Sequence, residues 1–190
     1  MLNLYIMKKL FKHFTVGIFL AAGISLGAQT TQAVDFGITA HSLIAIDNPT
    51  LSFAFTSPTA GGDGLGSSAA ATTQLKYSYM PQNAQGPNNT KIKVQFQNIP
   101  SGLSVSLSVD PSTLGSTTSN TNGTLGTVAS GFTTATTLTS ANTTIIDGIG
   151  ASFTGAGYYT LSYSATISNY AALSANPTGQ SPTISYTISQ

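Results

Sequence analysis

Apolar and polar residues alternate with a period of two along most of the chain, and helical periodicity is nowhere sustained. Ile92, Val94 and Phe96 alternate with Lys91, Lys93, Gln95 and Gln97. Leu103, Val105, Leu107 and Val109 alternate with serines at 104, 106 and 108. Tyr159, Leu161, Tyr163, Ala165 and Ile167 form a third run, and Ile184, Tyr186 and Ile188 a fourth. Shorter candidates are 51–55, 75–80, 134–138 and 143–149. Successive side chains on a strand point to opposite faces, so each run offers one apolar and one solvated face, as half-solvated antiparallel strands must.

Turn chemistry punctuates these runs. Asp47-Asn48-Pro49, Asn98-Ile99-Pro100-Ser101-Gly102, Asp110-Pro111-Ser112 and Asn176-Pro177-Thr178-Gly179 all carry residues that favour tight reversals. Two longer breaks, 59–71 and 115–126, are rich in Gly, Ser, Thr and Asn. Eight to ten short strands at this spacing predict an all-β fold, an antiparallel β-sandwich of Ig-like or jelly-roll-like type. A small barrel is the second choice.

One run is longer than the rest. Val34, Phe36, Ile38, Ala40, Ile44 and Ile46 share parity over thirteen residues, broken only at Ser42. Fully extended, this would cover roughly 43 Å, about twice an ordinary strand. Two readings follow. Either a first strand bends or bulges near His41-Ser42 and crosses between sheets, or 34–40 is a free N-terminal extension ahead of a strand starting near Leu43. An extended segment of alternating apolar residues can complete a neighbour's open sheet through main-chain hydrogen bonds and side-chain pockets.

The N-terminus changes the picture of where the chain works. Lys8, Lys9 and Lys12 precede the apolar run Val16 to Ile24, and a small-residue region ends at Thr31-Gln32-Ala33. This is the form of a secretory signal peptide over 1–33, cleaved after Ala33 with Ala28 as the second choice. The run is short for a membrane span. Met7-Lys8-Lys9-Leu10 itself has the form of a bacterial start, which would make Met1 to Ile6 an extension ahead of it. A single sandwich domain over 41–190 is expected, secreted to the bacterial cell surface with no membrane insertion after cleavage.

Composition narrows the chemistry. Residues 34–190 hold Lys76, Lys91 and Lys93 against Asp35, Asp47, Asp63, Asp110 and Asp147, a net charge of −2, with neither Arg nor Glu. Three lysines make no basic patch, which argues against nucleic acid and against docking on anionic membrane. The chain has no cysteine, so stability must come from sheet packing or from neighbouring subunits.

The candidate chemistry is thin. His41 is the one histidine after the leader, and Asp47 and many serines are near it in sequence, but no nucleophile-turn motif is present. The aspartates are scattered too widely to suggest the carboxylate pair of a glycosidase. One histidine without cysteine cannot compose a structural zinc site. Gly61-Gly62-Asp63-Gly64-Leu65-Gly66 resembles one unit of the glycine-rich calcium repeats, yet it occurs once, and a plain loop is the better account. Tyr77, Tyr79, Tyr158, Tyr159, Tyr163, Tyr170 and Tyr186 could stack on a sugar, but the shared parity of Tyr77 with Tyr79 and of Tyr159 with Tyr163 favours packing. No enzyme activity and no cofactor are expected. Lys91 and Lys93 fit either an edge strand guarded against unwanted pairing or an ordinary solvated face.

With the leader, the alternating segment after it and the strands 163–167 and 183–189, the chain resembles bacterial pilus subunits assembled by donor-strand exchange. The resemblance covers the layout of most of the chain after the leader, without a diagnostic motif. It implies an Ig-like sandwich that polymerises with copies of itself when one subunit's N-terminal extension fills the next one's groove. Val34, Phe36, Ile38 and Ala40 would be the groove-filling side chains. A periplasmic chaperone and an outer-membrane assembly factor are the further partners it implies. The chain departs from the family in lacking a disulfide and a penultimate tyrosine, where Ser189 stands. The alternative is a monomeric secreted carbohydrate-binding or adhesive module.

Overall fold

The computed structural model describes residues 36–82, 88–114, 123–174 and 181–190. The proposed leader over 1–33 and the turn at Asn176 to Gly179 lie outside them. The described residues are all β, with no α-helix and three single 3-10 turns, at Ser112–Leu114, Ser130–Phe132 and Tyr170–Ala172. Ten strands follow in chain order: β1 His41–Ile46, β2 Ala71–Met80, β3 Thr90–Gln97, β4 Leu103–Asp110, β5 Thr127–Val128, β6 Thr136–Thr137, β7 Thr143–Ile149, β8 Ser152–Phe153, β9 Tyr159–Ile167 and β10 Thr183–Ser189.

They build two antiparallel sheets. One runs β1-β2-β9-β4-β6, with β8 pairing β2 beyond the end of β9; the other runs β10-β3-β7-β5. Register follows the alternation. Leu75 faces Tyr159, Leu107 faces Tyr163 and Val109 faces Leu161 in the first sheet. Ile184 faces Phe96, Tyr186 faces Val94 and Ile188 faces Ile92 in the second. A one-residue slip in any pair would turn its apolar row to solvent, so burial and register specify each other.

The two apolar faces close on one core. Leu75, Tyr77, Ile92, Val94, Leu107, Ile145, Ile146, Tyr159, Leu161 and Tyr163 are buried. Tyr77 stacks on Tyr159 at 6.3 Å between ring centroids, a geometry that adds to their area burial. The Tyr159 hydroxyl donates to Gly126 O at 2.8 Å, and burial pushes its pKa well above the ordinary value. The core tyrosines are therefore packing residues.

Turn signals hold where they are described. Leu103 N–H reaches Pro100 O at 3.2 Å, and Gly102 takes φ +81°, where an added Cβ would lie 2.5 Å from Asn169 O. Both constraints demand glycine. At the next corner Ser112 N–H donates to Asp110 Oδ1 at 2.8 Å.

The structure differs from the sequence expectations at two places, 51–55 and 134–138, and decides between open alternatives at two more. Over 51–55 the alternation is real, with Leu51, Phe53 and Phe55 half-buried, but the segment makes only an isolated bridge from Phe55 to Ser68. Neither β2 nor β10, whose residues line the same opening, pairs with it. Over 134–138 only Thr136–Thr137 pair, because the chain then crosses between sheets. Leu138 N–H donates to Val105 O at 2.8 Å, whereas Thr139 O accepts from Phe96 N–H at 3.0 Å. β3 is interior, flanked by β10 and β7, so Lys91 and Lys93 guard no edge; they stand on the solvated face, where Lys91 Nζ meets Asp147 Oδ2 at 3.0 Å. Finally, the first strand begins at His41, and 36–40 form no strand.

Candidate functional site

The lateral edges of the sandwich are β1 and β10 on one side, and β5 and β6 on the other. β1 and β10 come into contact with each other. Beyond that contact the sheets are not sealed. A groove of about 680 Å³ opens between them, past the C-terminal end of β1. Its floor on one sheet is Thr73, Leu103, Val105, Tyr163 and Ala165; on the other it is Phe96, Ile184 and Tyr186. Ile46, Leu51, Phe53 and Phe55 line its mouth.

The local chemistry explains why the groove exists. At Asp47 the β1–β2 ladder is stopped by a side chain. Asp47 Oδ1 accepts from Gln74 N–H and from the Thr73 hydroxyl, both at 2.6 Å. Asn48 N–H then goes to Thr73 Oγ1 at 3.2 Å, and Pro49 has no N–H to offer. Thr50 N–H closes on Asn48 Oδ1 at 3.3 Å. The chain is steered away from β2 here, so the ladder between β1 and β2 covers Leu75 to Met80 and no more of β2. The same hydrogen bonds, Gln74 N–H first and the Thr73 hydroxyl second, hold the Asp47 carboxyl below its ordinary pKa.

The groove is apolar and carries unused polar capacity. Among the described residues the hydroxyls of Tyr163 and Tyr186 are buried without a hydrogen-bond partner, a condition that costs free energy in a finished core. Burial raises the Tyr186 phenol pKa well above its ordinary value. At the other end of the same edge, Gln190 Nε2 donates to the Tyr79 hydroxyl at 2.7 Å, tying the end of β10 to β2.

Of the residues singled out as groove-filling, Val34 lies outside the described residues. Phe36 and Ile38 are 81% and 75% exposed, and Ala40 is exposed as well. The groove walls themselves carry no sequence signal beyond inward parity; only the pairing order places Tyr163, Tyr186 and Phe96 around one opening.

The other candidates are not assembled into sites. His41 Nε2 meets Ser78 Oγ at 2.9 Å and Nδ1 meets Thr39 O at 3.2 Å, on the solvent-facing side of β1 and β2. Asp47 lies beyond the opposite end of β1, about 20 Å of strand away, so the His–Asp–Ser set suggested by sequence proximity is not brought together. Asp63 Oδ2 accepts from Ala60 N–H at 3.1 Å within its own loop. Among the described residues no cluster of three or more His, Cys, Asp or Glu side chains could hold a metal ion.

No protein-family model matches the chain, and no curated protein matches it in sequence.

Proposed function

We propose that the protein is an extracellular structural subunit of a bacterial fibre, pilus or surface layer, assembled by β-strand addition. Its leader would be removed on export, and the segment Val34 to Ala40 of one copy would enter the groove of the next. The observation that carries this reading is the open, apolar edge between β1 and β10, in a chain whose exposed Phe36 and Ile38 lie just ahead of β1.

Seven residues, 34–40, are the length of an ordinary strand, and Thr183, Ile184 and Tyr186 of edge strand β10 border the groove. Burying Phe36 and Ile38 would contribute about 3–5 kcal/mol in total, and main-chain pairing to an edge would add affinity. A second copy is the better source than the same chain. The segment enters β1 at His41, whereas the groove lies past Ile46. Thr39-Ala40-His41 contains no Gly, Pro, Asn or Asp to turn it back. The chain has no disulfide to supply stability, and a neighbour's strand would complete its core. A periplasmic chaperone and an outer-membrane assembly factor are proposed as further partners, on the pilus resemblance alone. No catalytic role is proposed.

The test is negative-stain microscopy of the secreted protein beside a variant lacking 34–40. Filaments are expected from the first and monomers from the second. Filaments from the truncated protein, or a full-length protein that stays monomeric at high concentration, would refute strand addition.

A further inference from the structure

The segment Leu51–Phe55 has the pattern of a strand without the bonds of one. Leu51, Phe53 and Phe55 are half-buried and pack against the core, while Ser52 and Ala54 between them are exposed. The segment is held at both ends. Asp47 and Asn48 fasten its start to β2 through Thr73 and Gln74. At its finish Phe55 bridges Ser68, Gly66 N–H donates to Thr56 O at 2.9 Å, and the Ser68 hydroxyl donates to Ala165 O at 3.2 Å. Between these anchors it belongs to no strand. Its attachment to the groove mouth is therefore by side chains, which can leave without breaking a ladder.

Its pattern also matches that of the proposed occupant. Large apolar residues stand at alternate positions with small or polar ones between, as in Val34, Phe36 and Ile38 with Asp35 and Gly37. Two segments of one chain thus share one alternation of large apolar and small or polar residues. We propose that Leu51–Phe55 is a displaceable strap that lies across the mouth of the groove in the free subunit and gives way to an incoming strand. The strap shields apolar surface that would otherwise invite unwanted association, and it sets how readily the groove accepts a partner. The displacement rests on the strand-addition reading; the covering of the groove does not.

Because the chain lacks cysteine, single thiols report on the groove cleanly. Ala165→Cys places one in the groove wall, and Val109→Cys places one in the core away from it. Labelling by a maleimide is measured in each, with and without Phe53→Asn to loosen the strap. The strap predicts labelling at least tenfold faster for Ala165→Cys in the Phe53→Asn background and less than twofold change for Val109→Cys. Equal acceleration at both sites would mean general destabilisation, and no acceleration at either would mean a fixed wall; each overturns the strap. A synthetic peptide of residues 34–40 is then added to the full chain. Protection of Ala165→Cys is expected at several-fold lower peptide concentration when the strap is loosened. Protection at the same concentration in both backgrounds overturns the strap. If the labelling pattern holds and the peptide protects neither, the strap stands as a cover and the strand-addition reading falls.

Discussion

The two lateral sides of the sandwich solve the same problem differently. On the β5–β6 side the strands are only two residues long, yet the core is sealed by the buried side chains of Phe132 and Leu138 and by the crossing of the chain between sheets at Leu138-Thr139. On the β1–β10 side the strands are six and seven residues long, and the core stays open. Strand length does not close an edge; a large side chain carried across the gap does. Where the crossing chain is tied into both sheets by main-chain bonds, Phe132 and Leu138 fill the gap. Where the chain is turned aside by Asp47, Asn48 and Pro49, a groove follows.

The largest expected contrast is in core truncation. Phe132→Ala removes a buried ring and should cost about 3–5 kcal/mol in denaturant unfolding. Phe53→Ala, on the open side, should cost less than about 1.5 kcal/mol, because the ring is half in water already. Equal losses would mean that the open side is core like the other.

A second contrast lies in the buried tyrosines. Tyr159→Phe strips Gly126 O, at the start of the closed side, of its donor and should cost about 1–3 kcal/mol. Tyr186→Phe removes a hydroxyl with no partner among the described residues and should be neutral or slightly stabilising. A loss for Tyr186→Phe comparable to that of Tyr159→Phe would show that the groove hydroxyl is satisfied after all.

The smallest effect concerns the residue that opens the groove. Asp47→Ala should lower stability by no more than about 1 kcal/mol at pH 7, since the carboxylate is largely in solvent. Its folded-state pKa lies below the ordinary 3.8. The unfolded chain therefore binds the proton first as pH falls. The contribution is full above about pH 5 and is lost on acidification through the depressed value. The difference between wild type and Asp47→Ala should narrow toward pH 2; a difference that persists there would place the effect in packing and not in the carboxylate.

Much of the fold is legible from local pattern. The strands at 143–149, 159–167 and 183–189 begin and end where alternation and turn residues put them. Gly102 and Asp110 mark the two ends of β4, Asp110 through a bond to Ser112 two residues on and Gly102 through its positive φ, to which only the fold adds the close approach of Asn169. The segment 51–55 shows where local reading stops. Its alternation is as good as that of β10, and its side chains do face the core, yet it pairs with no strand of either sheet. Lys91 and Lys93 teach the same lesson from the other direction, since their charges suit an edge and a solvated face alike and only the pairing order puts their strand in the interior.

The sequence by itself determined which side chains face inward and where the chain turns, because period-two alternation and turn propensity act over a few residues. The tertiary structure alone decided which strands are neighbours, that β1 and β10 border one opening, and that Tyr163, Tyr186 and Phe96 meet around it. Those outcomes depend on pairings between residues far apart in the chain, to which the pattern of any one strand is indifferent.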